Sequence, residues 1–268
     1  MIKRLCVACL GLILLSSCGE YYRVQKSTDV SERYSYAKKC YNEKRYARVV
    51  SLMEDIVPSL VGTTEGSQST YLLADAYFNQ GQEADAARYF QNYYTSYPKA
   101  PMAEEALFKA GYCLYQASPD ARLDQSMTLG AIKELQTYLD LYPKGEHAST
   151  VQQMLFALQD KLAYKEYLAA KLYYDLGLYL GNNYESCVIT AQNALKDYPY
   201  TKHKEDLYFL ILRAKQDQAE LSVPEKLQER LRDVIDAYYA YINDFPEGRY
   251  LKQAQRIYQR MNGRKSAD

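Results

Sequence analysis

The chain has 268 residues, and its 33 Lys and Arg residues balance its 33 Asp and Glu residues. This neutrality does not favour nucleic acid as a partner, because such binding depends on neutralising phosphate charge. The content of 48% hydrophobic and 25% charged residues is that of a globular protein, which excludes wholesale disorder and a multi-span membrane protein. With only 12 Gly and 8 Pro, a turn-rich β protein is not favoured. The unusual count is 30 Tyr without any Trp, which indicates many amphipathic contacts.

The N-terminal residues have the pattern of a processing segment. Lys3 and Arg4 precede an uncharged apolar run over residues 5–15, which is too short for a spanning helix of roughly 20 residues. The run ends in Leu-Ser-Ser-Cys at residues 15–18, which resembles a bacterial lipobox. The resemblance implies a lipoprotein signal peptide over residues 1–17, a lipidated linker over 18–26, and no cofactor apart from the covalent lipid on Cys18. An ordinary signal peptide cleaved elsewhere is the alternative.

The lipid anchor has consequences for location and for the cysteines. Several acyl chains make an effectively permanent membrane anchor. Because residue 19 is Gly and not Asp, the resemblance to lipoproteins implies the periplasmic face of the outer membrane. The thiols that remain are Cys40, Cys113 and Cys187. Their odd number and wide spacing predict small core residues and do not favour a disulfide framework.

Aromatic-Pro pairs mark the ends of successive predicted helices. Four segments end in such a pair: Tyr97-Pro98, Tyr142-Pro143, Tyr198-Pro199 and Phe245-Pro246. Apolar or small residues recur 4, 8 and 12 positions before each proline, on one helical face, and again 8 and 12 positions after it. Since proline cannot continue a helix, each segment predicts an antiparallel helix pair. A weaker first copy ends before Pro58, and the third copy carries an insertion over residues 119–125.

The segment 68–98 resembles a tetratricopeptide repeat. The residues at the signature spacing are Leu73, Ala74, Tyr77, Gly81, Ala86, Phe90, Tyr93 and Pro98. The predicted fold is therefore all-α: a right-handed α-solenoid of about five tetratricopeptide-like helix pairs, from residue 27 to about 261, with a C-terminal capping helix over 249–260. We divide it into N-terminal repeats over 27–143 and C-terminal repeats with the capping helix over 144–268.

Five repeats behind a lipobox resemble the BamD family of outer-membrane assembly lipoproteins. The best local match runs from Gln159 to Tyr167 and continues through Gly177 to Tyr198-Pro199. The resemblance implies a non-enzymatic scaffold of the β-barrel assembly machinery. Its C-terminal repeats would bind the periplasmic domains of the barrel-forming subunit, its N-terminal repeats would bind unfolded outer-membrane protein segments, and other assembly lipoproteins would be further partners. The family's basic interface residue has no arginine counterpart between Cys187 and Leu195.

The predicted client groove lies on the first helices of the first three pairs. Family positions assign nine residues to this face: Tyr34, Lys38, Tyr41, Tyr71, Asp75, Phe78, Phe108, Tyr112 and Tyr115. Seven of the nine are aromatic, which suits extended peptides rich in aromatic residues. The main hypothesis is that Tyr34, Tyr41, Tyr71 and Phe78 line a client site. The alternative is that these rings pack between repeats.

Catalytic and metal-binding patterns do not occur in the sequence. His147 and His203 each lie four residues after a repeat proline and have no ligand-spaced partners, which predicts structural roles and no metal site. Hydrolase, nucleotide-binding and metalloprotease motifs do not occur, so the chain is not predicted to be an enzyme. A glycan-binding envelope lipoprotein resembling SusD is the alternative function, but such proteins stack sugars on Trp, which this chain does not contain.

Overall fold

The computed structural model describes residues 19–265, and α-helices dominate this part of the chain. We call the first helical segment, over residues 19–25, α1. The following helices are α2 Val30–Asn42, α3 Tyr46–Met53, α4 Val57–Leu60, α5 Gly66–Phe78, α6 Glu83–Ser96, α7 Ala103–Ala117, α8 Ser126–Leu141, α9 Ala148–Leu176, α10 Asn183–Asp197, α11 Lys204–Glu220, α12 Pro224–Asp244 and α13 Leu251–Lys265. The predicted all-α class is confirmed.

The aromatic-Pro pairs end helices as predicted. Tyr97, Tyr198 and Phe245 each follow the last helical residue with φ between −128° and −133° and ψ between 55° and 64°. This conformation lies outside the α region, as expected for a residue that precedes proline. After each of the four repeat prolines the next helix begins five residues later, at Ala103, Ala148, Lys204 and Leu251. The five predicted pairs are therefore α2/α3, α5/α6, α7/α8, α9/α10 and α11/α12, and α13 is the capping helix.

Two predicted boundaries differ from the structure. The second helix of the first pair ends at Met53, and Pro58 lies in the first turn of the short helix α4, where proline is tolerated because no hydrogen bond from its nitrogen is needed. The linker assigned to residues 18–26 is helical over 19–25, and Val24 is only 1% exposed. This segment therefore contributes to the core instead of acting as a free tether.

The described residues form two compact units, each with its own core. The N-terminal unit comprises residues 19–119 and 126–155, and the C-terminal unit comprises 120–125 and 156–265. The boundary falls inside α9, about three helical turns beyond the predicted division at 143/144. Small residues allow close helix packing in both units: Ala74, Ala86, Ala106, Ala191 and Ala254 are fully buried.

Large side chains complete the two cores. Those of the N-terminal unit include the fully buried Leu52, Leu73, Phe90, Leu135 and Tyr138, and those of the C-terminal unit include Leu158, Leu207, Leu212, Leu231 and Tyr241. Where α7 packs against α8, a Cβ added to Gly111 would lie 2.6 Å from a methyl carbon of Leu135. Close packing of this kind makes core substitutions that change volume costly.

Candidate functional site

The nine predicted groove residues lie on the first helices of three successive pairs. Helix α2 carries Tyr34, Lys38 and Tyr41, α5 carries Tyr71, Asp75 and Phe78, and α7 carries Phe108, Tyr112 and Tyr115. Contacts join neighbouring helices: the Tyr34 hydroxyl donates to Gln68 Oε1 at 2.8 Å, and the rings of Phe78 and Tyr112 meet at a centroid distance of 6.1 Å. We call this surface of α2, α5 and α7 the aromatic face.

A buried carboxylate lies at the centre of the aromatic face. Asp75 accepts hydrogen bonds from the Tyr41 hydroxyl at 2.5 Å, from Asn79 Nδ2 at 2.9 Å and from Lys109 Nζ at 2.6 Å. The side chains of Asp75 and Lys109 are only 9% and 19% exposed. Because a buried charge is tolerated when it is paired and hydrogen-bonded, these donors make the position possible. They also tie α2, α5 and α7 together.

The protonation states of this polar centre follow from its surroundings. Burial raises the pKa of the Tyr41 hydroxyl, and its hydrogen bond to Asp75 raises that pKa further, so Tyr41 remains a neutral donor. Burial lowers the pKa of Lys109, but its hydrogen bond to Asp75 and the charge of that carboxylate outweigh the effect and raise the pKa overall. At neutral pH the lysine is charged, and the pair is electrically balanced.

Lys109 was not among the predicted site residues. Its ammonium lies 5.5 Å from the ring centroid of Tyr71 and 5.4 Å from those of Phe78 and Phe90, within the range of cation–π attraction. A sequence signal for it exists, since Tyr41, Asp75 and Lys109 follow one another at intervals of 34 residues. This interval is the usual length of a tetratricopeptide repeat, although the prolines of this chain are spaced more widely.

The accessibility of the aromatic face differs from the prediction. As whole residues, Tyr34 and Asp75 are only 4% and 6% exposed. Neither lines an open surface, because hydrogen bonds hold each of them between helices. The other seven predicted residues are half-buried. Lys38 lies with its ammonium 4.4 Å from the ring centroid of Tyr34 and covers that ring. The Tyr34 ring therefore packs between helices and beneath the Lys38 side chain.

His147 packs against the aromatic face at Phe108 of α7. Its ring is stacked on Phe108 with a centroid distance of 3.8 Å and an interplanar angle of 9°. Its Nε2 atom lies 2.9 Å from Glu105 Oε2. His147, four residues after Pro143, thus covers an aromatic ring of the preceding helix pair. This role is structural.

A tyrosine-glutamate contact recurs in both units and accounts for part of the tyrosine content. The Tyr138 hydroxyl donates to Glu104 Oε1 at 2.7 Å and accepts from the backbone nitrogen of His147 at 3.1 Å. The same distances occur in the C-terminal unit among Tyr241, Glu205 and Tyr250. Each tyrosine stands five residues before a repeat proline. Its ring fills the core, and its hydroxyl ties the loop after the proline to the preceding helix pair.

The described residues offer little reactive chemistry. Cys40, Cys113 and Cys187 are buried free thiols, and burial raises the pKa of Cys113 and of Cys187 to about 12, so both are protonated at neutral pH. Across residues 19–265 no group of three or more His, Cys, Asp or Glu side chains could hold a metal ion. In the same range no helix combines the length and the hydrophobicity needed to cross a membrane. The predicted lipidation site, Cys18, lies outside the described residues.

The fold and its interlocked aromatic face define a tetratricopeptide-like helical-repeat protein. A family model described as "YfiO: Outer membrane lipoprotein" matches residues 26–181, which is more than half of the chain. The chain therefore belongs to the YfiO family of outer membrane lipoproteins. The matched residues contain the whole aromatic face.

Two relatives carry the name that the sequence suggested. A protein of Aquifex aeolicus (strain VF5) named as an outer membrane protein assembly factor BamD is 25% identical over 239 residues, covering 85% of this chain and 72% of the relative. The outer membrane protein assembly factor BamD of Caulobacter vibrioides is 23% identical over 152 residues, covering 56% of this chain and 48% of the relative. The resemblance to the BamD family is confirmed.

Solved structures add little. A crystal structure of kinesin light chain TPR-like repeats from Podosopora anserina is 16% identical in sequence to this chain. The matched region covers 79% of this chain and 95% of the chain in that structure. Its TM-score is 0.32.

Proposed function

We propose that the protein is a non-enzymatic scaffold of outer-membrane β-barrel assembly, anchored through an acylated Cys18 to the periplasmic face of the outer membrane. The observation that carries the proposal is the match of the outer membrane lipoprotein family over residues 26–181. Two relatives named as outer membrane protein assembly factors support it. The family match favours this function over a SusD-like glycan receptor.

The division of labour between the two units is part of the proposal. The C-terminal unit binds the periplasmic domains of the barrel-forming subunit, the N-terminal unit binds unfolded outer-membrane protein segments, and other assembly lipoproteins are further partners. Each unit has its own hydrophobic core. This supports the division, because the binding surface of one unit can stay folded while a partner is bound to the other.

Client binding in this proposal uses the exposed edges of the half-buried rings. Phe78, Tyr112 and Tyr115 are half-buried, so a peptide can reach part of each ring. An aromatic pair contributes about 0.5–1.5 kcal/mol beyond its burial of area, and several such contacts give reversible capture. Asp75 and Lys109 neutralise each other, and their role is to hold the helices in place rather than to bind the client.

Affinity purification tests the scaffold function. The acylated chain is extracted from membranes in mild detergent, and the proteins recovered with it are identified by mass spectrometry. We expect the barrel-forming assembly subunit. Recovery of a glycan transporter without this subunit would support the SusD-like alternative and contradict the proposal.

Photo-crosslinking tests the client surface. Tyr41 is unsuitable for substitution because its hydroxyl serves the buried Asp75, so we choose Phe78→Ala combined with Tyr112→Ala. Loss of two ring contacts is expected to lower crosslinking to a peptide from the terminal strand of an outer-membrane barrel about fivefold or more. Tyr22→Ala, which removes a ring that is 56% exposed on α1, is the control. Undiminished crosslinking in a double variant with normal helicity would refute the client surface.

A further inference from the structure

The turn between α9 and α10 is an exposed apolar tip. Residues 176–181 read Leu-Gly-Leu-Tyr-Leu-Gly, and we call them the apolar tip. Leu178, Tyr179 and Leu180 are 54%, 68% and 91% exposed, and the last value is the highest of any large hydrophobic residue in the described chain. On the adjoining turn of α9, Leu172 is 60% exposed. Contiguous apolar exposure of this kind marks a surface that contacts something else.

The backbone holds the apolar tip in an ordered conformation. Gly177 and Leu180 have φ values of 56° and 55°, and an L-residue such as leucine pays about 1–2 kcal/mol for this left-handed region. The turn is fixed by the Asn183 nitrogen, which donates to the Gly177 carbonyl at 2.9 Å, and by Asn183 Nδ2, which donates to the Tyr179 carbonyl at 2.7 Å. A strained leucine held outward by such contacts is a feature that function can explain.

We infer that the apolar tip inserts into the boundary between headgroups and acyl chains of the lipid bilayer. The chain belongs to an outer membrane lipoprotein family, so a bilayer is the apolar phase to which it is attached. No charged residue occurs between positions 176 and 184, so insertion requires no charge to be dehydrated. Leucine suits the acyl region, and tyrosine suits the interface, where its ring is buried and its hydroxyl stays hydrated.

A protein partner fits the apolar tip less well. Protein interfaces combine an apolar centre with a polar rim and about one hydrogen bond per 100–200 Å². The four exposed side chains of the tip offer a single hydroxyl. The nearest charges on α9, Lys171 and Asp175, already pair with each other at 2.6 Å. A bilayer needs no matching hydrogen-bond partners or fixed shape, and it is therefore the occupant that the chemistry favours.

Site-directed spin labelling tests the insertion. The described native cysteines are buried and Cys18 carries lipid under the proposed function, so a nitroxide introduced at Tyr179→Cys marks the apolar tip selectively. The acylated chain is reconstituted in phosphatidylcholine vesicles, and its attachment is verified by flotation. The accessibility of the label to oxygen and to a water-soluble nickel chelate is then measured. Leu141→Cys, at a leucine that is 61% exposed in the N-terminal unit, is the control position.

The expected result is a ratio of oxygen to nickel-chelate accessibility at position 179 about threefold or more above that of the control, because oxygen concentrates in hydrocarbon and the chelate stays in water. Leu178→Ser with Leu180→Ser should reduce the ratio to the control value. The matched pair Leu123→Ser with Leu129→Ser, at leucines that are 60% and 58% exposed, should leave it unchanged.

Three outcomes would overturn the inference. A label at 179 that is as open to the chelate as the control would place the tip in water, and a label shielded from both reagents would place it against protein. The inference rests on the proposed anchor at Cys18, and the two are separable. Failure of the chain to float with vesicles contradicts both the anchor and the tip, whereas flotation with a water-accessible label contradicts the tip alone.

Discussion

Replacing Lys109 with Met tests whether the aromatic face is held together by its polar centre. Methionine retains an unbranched apolar stem but removes the ammonium that donates to Asp75 at 2.6 Å. The Asp75 side chain is 9% exposed, so its charge would remain in a poorly hydrated position. Tyr41 and Asn79 would be its remaining hydrogen-bond donors.

The magnitude follows from this geometry. Removing one partner of a buried ion pair costs about 3–5 kcal/mol when the other charge is left uncompensated. Because two donors to Asp75 remain and Lys109 is 19% exposed, we expect the lower end, about 3 kcal/mol. Asp75→Asn combined with Lys109→Met removes both charges and should cost less, about 1–2 kcal/mol, since the amide still accepts from Tyr41.

The contribution of Lys109 to stability depends on pH in one direction. The pKa of Lys109 is raised in the folded protein, so its contribution to stability is fully present below the ordinary lysine pKa of about 10.4. That contribution is lost only as the pH rises through the raised value. The Lys109→Met effect should therefore be constant across neutral pH.

Hydrogen exchange measured by mass spectrometry is the appropriate assay. The chain has two compact units, and a single unfolding transition does not isolate one of them. We expect peptides from α5 and α7 to exchange about 100-fold faster in Lys109→Met, while α12 is unaffected. Lys171→Met, which breaks an ion pair whose side chains are 47% and 52% exposed, is the control and should cost less than about 0.5 kcal/mol. A loss below about 1 kcal/mol for Lys109→Met, or a double variant no more stable than the single one, would refute the reasoning.

Three further predictions concern strain, close packing and acid stability. Leu180→Gly should stabilise the C-terminal unit by up to about 1 kcal/mol, because glycine adopts positive φ without strain and this gain exceeds its larger loss of backbone freedom on folding. Unchanged or faster hydrogen exchange in α10 contradicts this. Gly145→Ala should destabilise the N-terminal unit by about 1–3 kcal/mol, because its Cβ would collide with Glu104 and with the Tyr138 hydroxyl and break their hydrogen bond. Hydrogen exchange of peptides from α8 measures the loss, and a change below about 0.5 kcal/mol contradicts it. Burial raises the pKa of Asp160, but hydrogen bonds from Lys202 and Thr201 outweigh it and lower the pKa. The contribution of Asp160 is therefore present above about pH 3.9 and is lost as the pH falls through the lowered value. Asp160→Asn should remove this part of the acid sensitivity, and an identical pH profile of stability contradicts the assignment.

Helix boundaries were predictable where the rule is local. Proline removes a backbone donor and restricts the conformation of the residue before it. The pairs Tyr97-Pro98 and Phe245-Pro246 therefore indicate a helix end whatever structure follows. Pro58 shows the limit of this rule. The same residue type is tolerated in the first turn of a helix, and α4 begins around it, so local sequence does not decide between a stop and a start.

The candidate site was predictable as a face but not in its accessibility. Helical periodicity and the family resemblance placed Tyr34 and Asp75 on the same side of successive repeats. Their burial depends on residues 34 positions away, Gln68 for Tyr34 and Lys109 for Asp75. No local sequence pattern indicates how closely two helices approach each other. The interval of 34 residues that joins Tyr41, Asp75 and Lys109 becomes meaningful only once α2, α5 and α7 are in contact.

The sequence by itself determined the family, the succession of helix pairs and the positions at which tyrosines recur. These follow from proline stops, helical periodicity and motif spacing, which act within one repeat. Only the tertiary structure decided which tyrosines are buried donors, where a charge pair lies, and that Leu180 is held outward. Burial and charge compensation require separate helices to meet, and the physical reason is that desolvation depends on everything that surrounds a group in space and not on its neighbours along the chain.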